Sequence, residues 1–118
     1  MSDSTLRGSC HCGRIAYEVS GSPERLIECN CSHCSRKGYL LWFVPRSRLR
    51  LLTPEGHLAT YTFNKHLIQH HFCAVCGCAP LGFGPGHEGE PMAAINARCL
   101  QDVDLASVPR VAYDGRSV

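Results

Sequence analysis

Three groups of closely spaced cysteines constrain this chain more than any other feature: Cys10-His11-Cys12, Cys29-Asn30-Cys31-Ser32-His33-Cys34 and Cys73-Ala74-Val75-Cys76. The chain has nine cysteines, and those in the groups sit at spacings suited to metal ligation, unlike ordinary disulfides or scattered core thiols. In an extended segment residues i and i+2 point to the same side, so Cys10 and Cys12 can converge on one ion. Cys73 and Cys76 form a knuckle pattern, and both pairs are followed by glycine, Gly13 and Gly77, which allows a sharp turn after the second ligand.

Structural zinc is held by four ligands, often two short pairs brought together from distant sequence. Cys10, Cys12, Cys73 and Cys76 fit that rule and are expected to hold a structural zinc. Cys29, Cys31 and Cys34 then form a second set with three protein ligands, the pattern of a reactive zinc with an open position. Three thiolates leave the ion with about one net negative charge on simple counting, which makes it a poor generator of hydroxide and a better host for another thiolate. This points to a thiol substrate. The alternative is a site closed by a fourth protein ligand, for which His33, Cys78, Cys99, His70 and His71 are the candidates. Cys78 and Cys99 read equally well as small buried hydrophobes. His70 and His71 are neighbours in an expected strand, so one should face the core and the other solvent, in packing or surface roles.

The rest of the chain is read as one domain, 1–118, of mostly short strands whose ends carry the ligands. Alternation puts Ile15, Tyr17 and Val19 on one strand face. Further strands are expected over 25–28, 39–44, 48–52, 59–63, 67–72, 80–83, 92–97 and 110–113, with a helical turn at 35–38, a hairpin tip at Asn64-Lys65 and a mobile loop over 84–91. Tyr39, Trp42 and Phe43 are expected in the core, one of them as a wall of a pocket beside the second zinc. Arg46, Arg48 and Arg50 alternate, so an extended backbone would line them along one face, where they could receive carboxylates or simply be solvated. Arg36 and Lys37 are further candidates for that role.

A formal net charge of +2 gives no electrostatic case for a nucleic-acid partner. The longest apolar run, Tyr39 to Val44, is too short to span a bilayer. The polar start, Met1-Ser2-Asp3-Ser4-Thr5, is followed by no apolar signal segment, so a cytoplasmic location with reduced cysteines is expected.

The order of the motifs Gly8-Ser9-Cys10-His11-Cys12-Gly13, Glu28-Cys29-Asn30-Cys31-Ser32-His33-Cys34 and Phe72-Cys73-Ala74-Val75-Cys76-Gly77 resembles the glutathione-dependent formaldehyde-activating enzyme family, which also contains centromere protein V. The resemblance runs from about residue 7 to about residue 105. It implies a mainly β, β-tent-like fold of small antiparallel sheets organised around two Zn²⁺ ions. It also implies a structural zinc on Cys10, Cys12, Cys73 and Cys76 and a catalytic zinc on Cys29, Cys31 and Cys34. The implied activity is that of a carbon–sulfur lyase acting on glutathione and formaldehyde. Many members run on to a tryptophan near the C-terminus, where this sequence reads Asp114-Gly115-Arg116-Ser117-Val118, and Cys78 and Cys99 lie outside the core motif. The enzyme reading expects the second zinc to be open to a small thiol. The alternative, a non-catalytic zinc module that binds a partner, expects that site to be closed.

Overall fold

Strand-forming segments dominate because β-branched, aromatic and alternating residues fall between glycine- and proline-rich turns. The computed structural model describes residues 5–63 and 67–115; the expected hairpin tip at Asn64-Lys65 lies outside the described residues. The strands are β1 (Thr5–Ser9), β2 (Ala16–Ser20), β3 (Leu26–Cys29), β4 (Leu41–Pro45), β5 (Leu49–Leu51), β6 (Leu58–Tyr61), β7 (Gln69–Cys73), β8 (Leu81–Pro85), β9 (Pro91–Asn96) and β10 (Arg110–Tyr113), with a short helix α1 (Ser32–Lys37) after β3.

These strands make two sheets, and the fold is mainly β. The smaller is antiparallel in the order β1-β2-β5, and the larger runs β10-β3-β4-β9-β8-β7-β6. All pairings of the larger sheet are antiparallel except one: β10 pairs with β3 in parallel, Arg110 beside Leu26 and Tyr113 beside Cys29. The purely antiparallel expectation therefore fails at that edge. The return from β9 to β10 covers 97–109 and includes two turns of 3-10 helix, enough chain for a crossover that a two-residue hairpin cannot make.

The core sits between the sheets. Tyr17 and Val19 of β2 meet Leu26, Trp42, Val44, Phe83, Ala93 and Ile95 of the larger sheet. The period-2 alternation of a strand then assigns the other face. Trp42 and Val44 of β4 point into the core, whereas Leu41 and Phe43 line an open cavity on the outer face, as do Ile27 and Cys29 of β3 and Ala94 and Asn96 of β9. Phe43 is 49% exposed, so the apolar run over 39–44 is not buried throughout. Trp42 is core, and Tyr39 and Phe43 are cavity wall.

The arginine row also differs from the sequence expectation. Pro45 fixes its own φ at −58°, and Arg46–Arg48 curl into a 3-10 turn before β5 begins, so the three arginines do not lie along one extended strand. Arg46 lies over the Phe83 ring, 3.5 Å from its centroid. Arg50 instead pairs across the small sheet with Glu18, its register partner, at 3.0 Å. The segment 84–91 forms a hairpin between β8 and β9, closed by the Gly86 N–H donating to the Glu90 carbonyl at 2.7 Å.

Ile95 is fully buried at the centre of the larger sheet. Ile95→Ala should therefore cost about 2–5 kcal/mol of stability, read as a lower urea midpoint at an unchanged slope; a shift within error would contradict this packing.

Candidate metal centre and adjoining cavity

Two sets of sulfurs gather. The ligand atoms of Cys10, Cys12, Cys73 and Cys76 all lie within 4.8 Å of one another, and so do those of Cys29, Cys31 and Cys34. Either set could hold a metal ion.

The four-sulfur set joins the two sheets. Cys10 and Cys12 follow β1 of the small sheet, Cys73 ends β7 of the large one, and Cys76 comes one knuckle later. Both turns need glycine: Gly13 and Gly77 have φ of 84° and 81°, a region that side chains disfavour. Backbone amides point at the sulfurs. The Ile15 N–H donates to Cys10 Sγ at 3.3 Å and the Cys76 N–H to Cys73 Sγ at 3.4 Å. Cys12 Sγ lies 3.7 Å from Cys10 Sγ and 3.6 Å from Cys73 Sγ. A tetrahedron with Zn–S bonds of about 2.3 Å has edges of about 3.8 Å, so the donor set fits Zn²⁺ in both chemistry and size.

The thiols of this set do not ionise alike. The amides of Cys78 and then Cys12 hold Cys76 down to about 5, and the Cys76 amide lowers Cys73. Cys12 is pushed up to about 11: the Arg14 amide opposes this, but burial and the Cys73, Cys10 and Cys76 sulfurs outweigh it. Thiolates this close resist sharing negative charge unless a cation joins them. Cys78 packs beside this set, its carbonyl accepting from the Cys73 N–H at 2.9 Å. Cys99 is half-buried, and its thiol is raised to about 11 by burial and then by Cys78, Cys10 and Cys76.

The three-sulfur set is built mostly by one local segment. β3 delivers Cys29, Cys31 is the N-cap of α1, and Cys34 lies buried in the helix. The Cys34 N–H donates to Cys31 Sγ at 3.3 Å, and the Cys31 N–H to Cys29 Sγ at 3.5 Å. Burial raises Cys34 above the usual thiol range. Burial would raise Cys31 too, but the Cys34 amide and the neighbouring thiols outweigh it, and Cys31 is lowered. Among the described residues none of His33, His70, His71, Cys78 or Cys99 joins this set as a fourth ligand.

The cluster opens on a cavity of about 650 Å³. The segment after β10 crosses it. Asn30 Nδ2 donates to Asp114 Oδ1 at 2.9 Å, and the Asn30 N–H to the Tyr113 carbonyl at 3.1 Å. A Cβ at Gly115 would overlap Cys29 Sγ, so only glycine lets the backbone pass there. His70 lines the same cavity, with its ring 4.2 Å from that of His33, and Tyr61 and Phe63 complete the ring cluster. His71 is buried, with Nδ1 at 3.0 Å from Thr60 Oγ1 and its edge against Phe83. Hence His71 is the core histidine of the pair, and His70 faces the cavity. Sequence reasoning did not find Phe63, Tyr113, Asn30, Asp114 or Gly115. The strand signal at Arg110–Tyr113 was readable, but its pairing beside Cys29 was not.

The comparisons agree with this architecture. A family model described as glutathione-dependent formaldehyde-activating enzyme matches residues 5–113. A solved crystal structure of a Rhodobacter sphaeroides protein is similar, with 28% identity and a TM-score of 0.73 over 89% of this chain and 99% of that chain. No helix among the described residues is long and apolar enough to cross a membrane.

Two expected outcomes follow from the geometry. Cys73→Ser should lower the thermal midpoint sharply and leave much of the chain insoluble, because folding and metal binding are one process at such a site; a midpoint equal to wild type would argue against a metal tying the sheets. His70 is pushed down to about 4 by burial and then by His33, His71 and Lys37. The unfolded chain takes up this proton near pH 6.5 and the folded chain does not, so stability present above about 6.5 is lost as pH falls towards 4. His70→Gln should lose less stability than wild type between pH 7 and pH 4.5 in urea unfolding; parallel losses would contradict the assignment.

Proposed function

Because this chain belongs to the glutathione-dependent formaldehyde-activating enzyme family, we propose that it joins a small thiol, glutathione or an analogue, to an aldehyde such as formaldehyde. In this reading Cys10, Cys12, Cys73 and Cys76 hold a structural zinc, and Cys29, Cys31 and Cys34 hold the zinc that serves the chemistry. The observation that carries it is the three-sulfur cluster opening on a cavity with no fourth protein ligand among the described residues.

A zinc held by Cys29, Cys31 and Cys34 would supply a soft Lewis acid that bonds an incoming thiol as its thiolate. The chain's own residues do the rest. The Cys31 and Cys34 amides donate to the Cys29 and Cys31 sulfurs and so hold the orientation of the thiols that would carry the ion. The cavity walls hold the thiol's substituent and exclude water, so the sulfur and the carbonyl carbon meet as neighbours. The sulfur electron pair forms the new C–S bond while the C=O π pair moves to oxygen. The proton given up by the thiol ends on that oxygen, leaving an S-hydroxymethyl adduct.

The test combines metal content with a thiol–formaldehyde assay. Wild type should carry about two zinc ions per chain and Cys31→Ala about one, with the rate of adduct formation reduced roughly 100-fold or more in the variant. Full activity in Cys31→Ala would remove the cluster from the mechanism.

A further inference from the structure

We propose that Arg36 and Lys37, at the end of α1, receive a carboxylate of the thiol taken at the Cys29, Cys31 and Cys34 cluster, so that the preferred thiol is one with an anionic arm. The inference rests on the reading above, that thiol–aldehyde addition takes place at this cluster, and it names the residues that choose among thiols.

Arg36 and Lys37 line a second cavity of about 530 Å³, with His33 and Tyr61. This volume lies within the range of small-molecule sites. Tyr39 and His70 line both this cavity and the one that holds the sulfurs, so the two adjoin at a common wall. Helix α1 serves both. Its buried Cys34 belongs to the cluster, and its last two residues are the cations. Arg36 and Lys37 follow Cys34 by two and three residues, roughly 3–5 Å of helix rise. A tripeptide extends to about 10 Å, so its sulfur can sit at the cluster while a carboxylate reaches the end of the helix.

Both cations are held in place. Arg36 Nη1 donates to the Ser32 carbonyl at 2.8 Å, which uses one of the several N–H groups of a guanidinium. Lys37 Nζ lies 5.8 Å from the centroid of the Phe72 ring, within cation–π range. Its charge reaches the common wall: His70 is kept uncharged at neutral pH by burial and then by His33, His71 and Lys37. Cations in the last turn of a helix also suit its dipole, but that role needs no cavity. A carboxylate between two oriented cations gains charge-assisted hydrogen bonds, and less side-chain freedom is lost when it binds.

The probes are glutathione and its diethyl ester, which keeps the thiol and the ammonium and lacks both carboxylates. Each is assayed with formaldehyde on the metal-loaded full chain, above the uncatalysed rate. The ratio of kcat/KM for glutathione to that for the ester should be about 10 in wild type. It should fall towards one in the double variant Arg36→Gln/Lys37→Gln, with the loss for glutathione in KM. Both side chains are exposed, so the variant should fold, as circular dichroism and zinc content would show. Should it not, the single variants carry the same test, each lowering the ratio about threefold. A ratio near one in wild type, or a ratio unmoved in the folded variants, overturns the proposal and leaves the thiol–aldehyde reaction standing. Arg25 lines the sulfur cavity; a ratio that falls in Arg25→Gln and holds in the double variant gives the carboxylate to Arg25 and also overturns it. No adduct from either thiol overturns the reaction and the subsite together.

Discussion

Four sulfurs gathered within 4.8 Å of one another, from two different sheets, are the constraint on which the rest of the molecule depends. Cys10 and Cys12 belong to the end of β1 in the small sheet, and Cys73 and Cys76 to the end of β7 in the large one. Nothing about four neighbouring thiols favours that closeness by itself: ionised they repel, and neutral they make only weak hydrogen bonds. A cation reverses the balance. The binding free energy of an ion held there would become folding free energy for a chain whose core is modest, and the ion would close a loop of some 60 residues whose entropy cost grows only slowly with length. The sheets pack through Tyr17 and Val19 on one side and Trp42, Val44 and Ile95 on the other, and the sulfur set fixes the end of that sandwich.

With the sheets placed, the second cluster follows from strand geometry. The large sheet has one face in the core, so alternation turns Ile27 and Cys29, Leu41 and Phe43, and Ala94 and Asn96 to its outer face. Cys29 is the last residue of β3, and the chain must leave the sheet there; α1 starts within three residues, with Cys31 as its cap. The same local turn therefore brings three thiols together and aims them along an apolar wall. Sheet alternation supplies the wall, helix capping supplies the cluster, and neither needs the other to form.

What could be read from the residues was the local part. Cysteine spacing at i+2 and i+3 encodes ligand convergence directly, and the glycines after Cys12 and Cys76 encode the turns that convergence needs. Alternation in 15–19 gave the buried set Ile15, Tyr17 and Val19. Contacts between distant segments were not legible. The arginine row failed because Pro45 starts a 3-10 turn where a continuous strand was expected. The two histidines read alike in sequence, yet His71 is buried against Phe83 while His70 joins His33 at the cavity. The parallel docking of β10 on β3 left no local trace, since pairing partners across more than 80 residues are chosen by the packing of everything between.

That edge strand separates the requirements of the two sulfur sets. The four-sulfur set needs β1 and β7 brought together, a demand on the whole fold. The three-sulfur set is made within the 29–34 segment, and Tyr113 to Gly115 pass beside it on a path so close to Cys29 Sγ that no side chain fits at Gly115. Asn30 holds this approach from both its side chain and its backbone. An edge strand of four exposed residues, bonded on one side only, is the kind of element that opens at lower free energy than a central strand. β10 pairs with β3 alone, so its pairing is separate from the β3-to-β6 ladder and from the four-sulfur set. The reaction proposed above admits a thiol and releases a larger adduct, and on that reading the division leaves the four-sulfur set at one end of the fold and the edge strand beside the three-sulfur cluster.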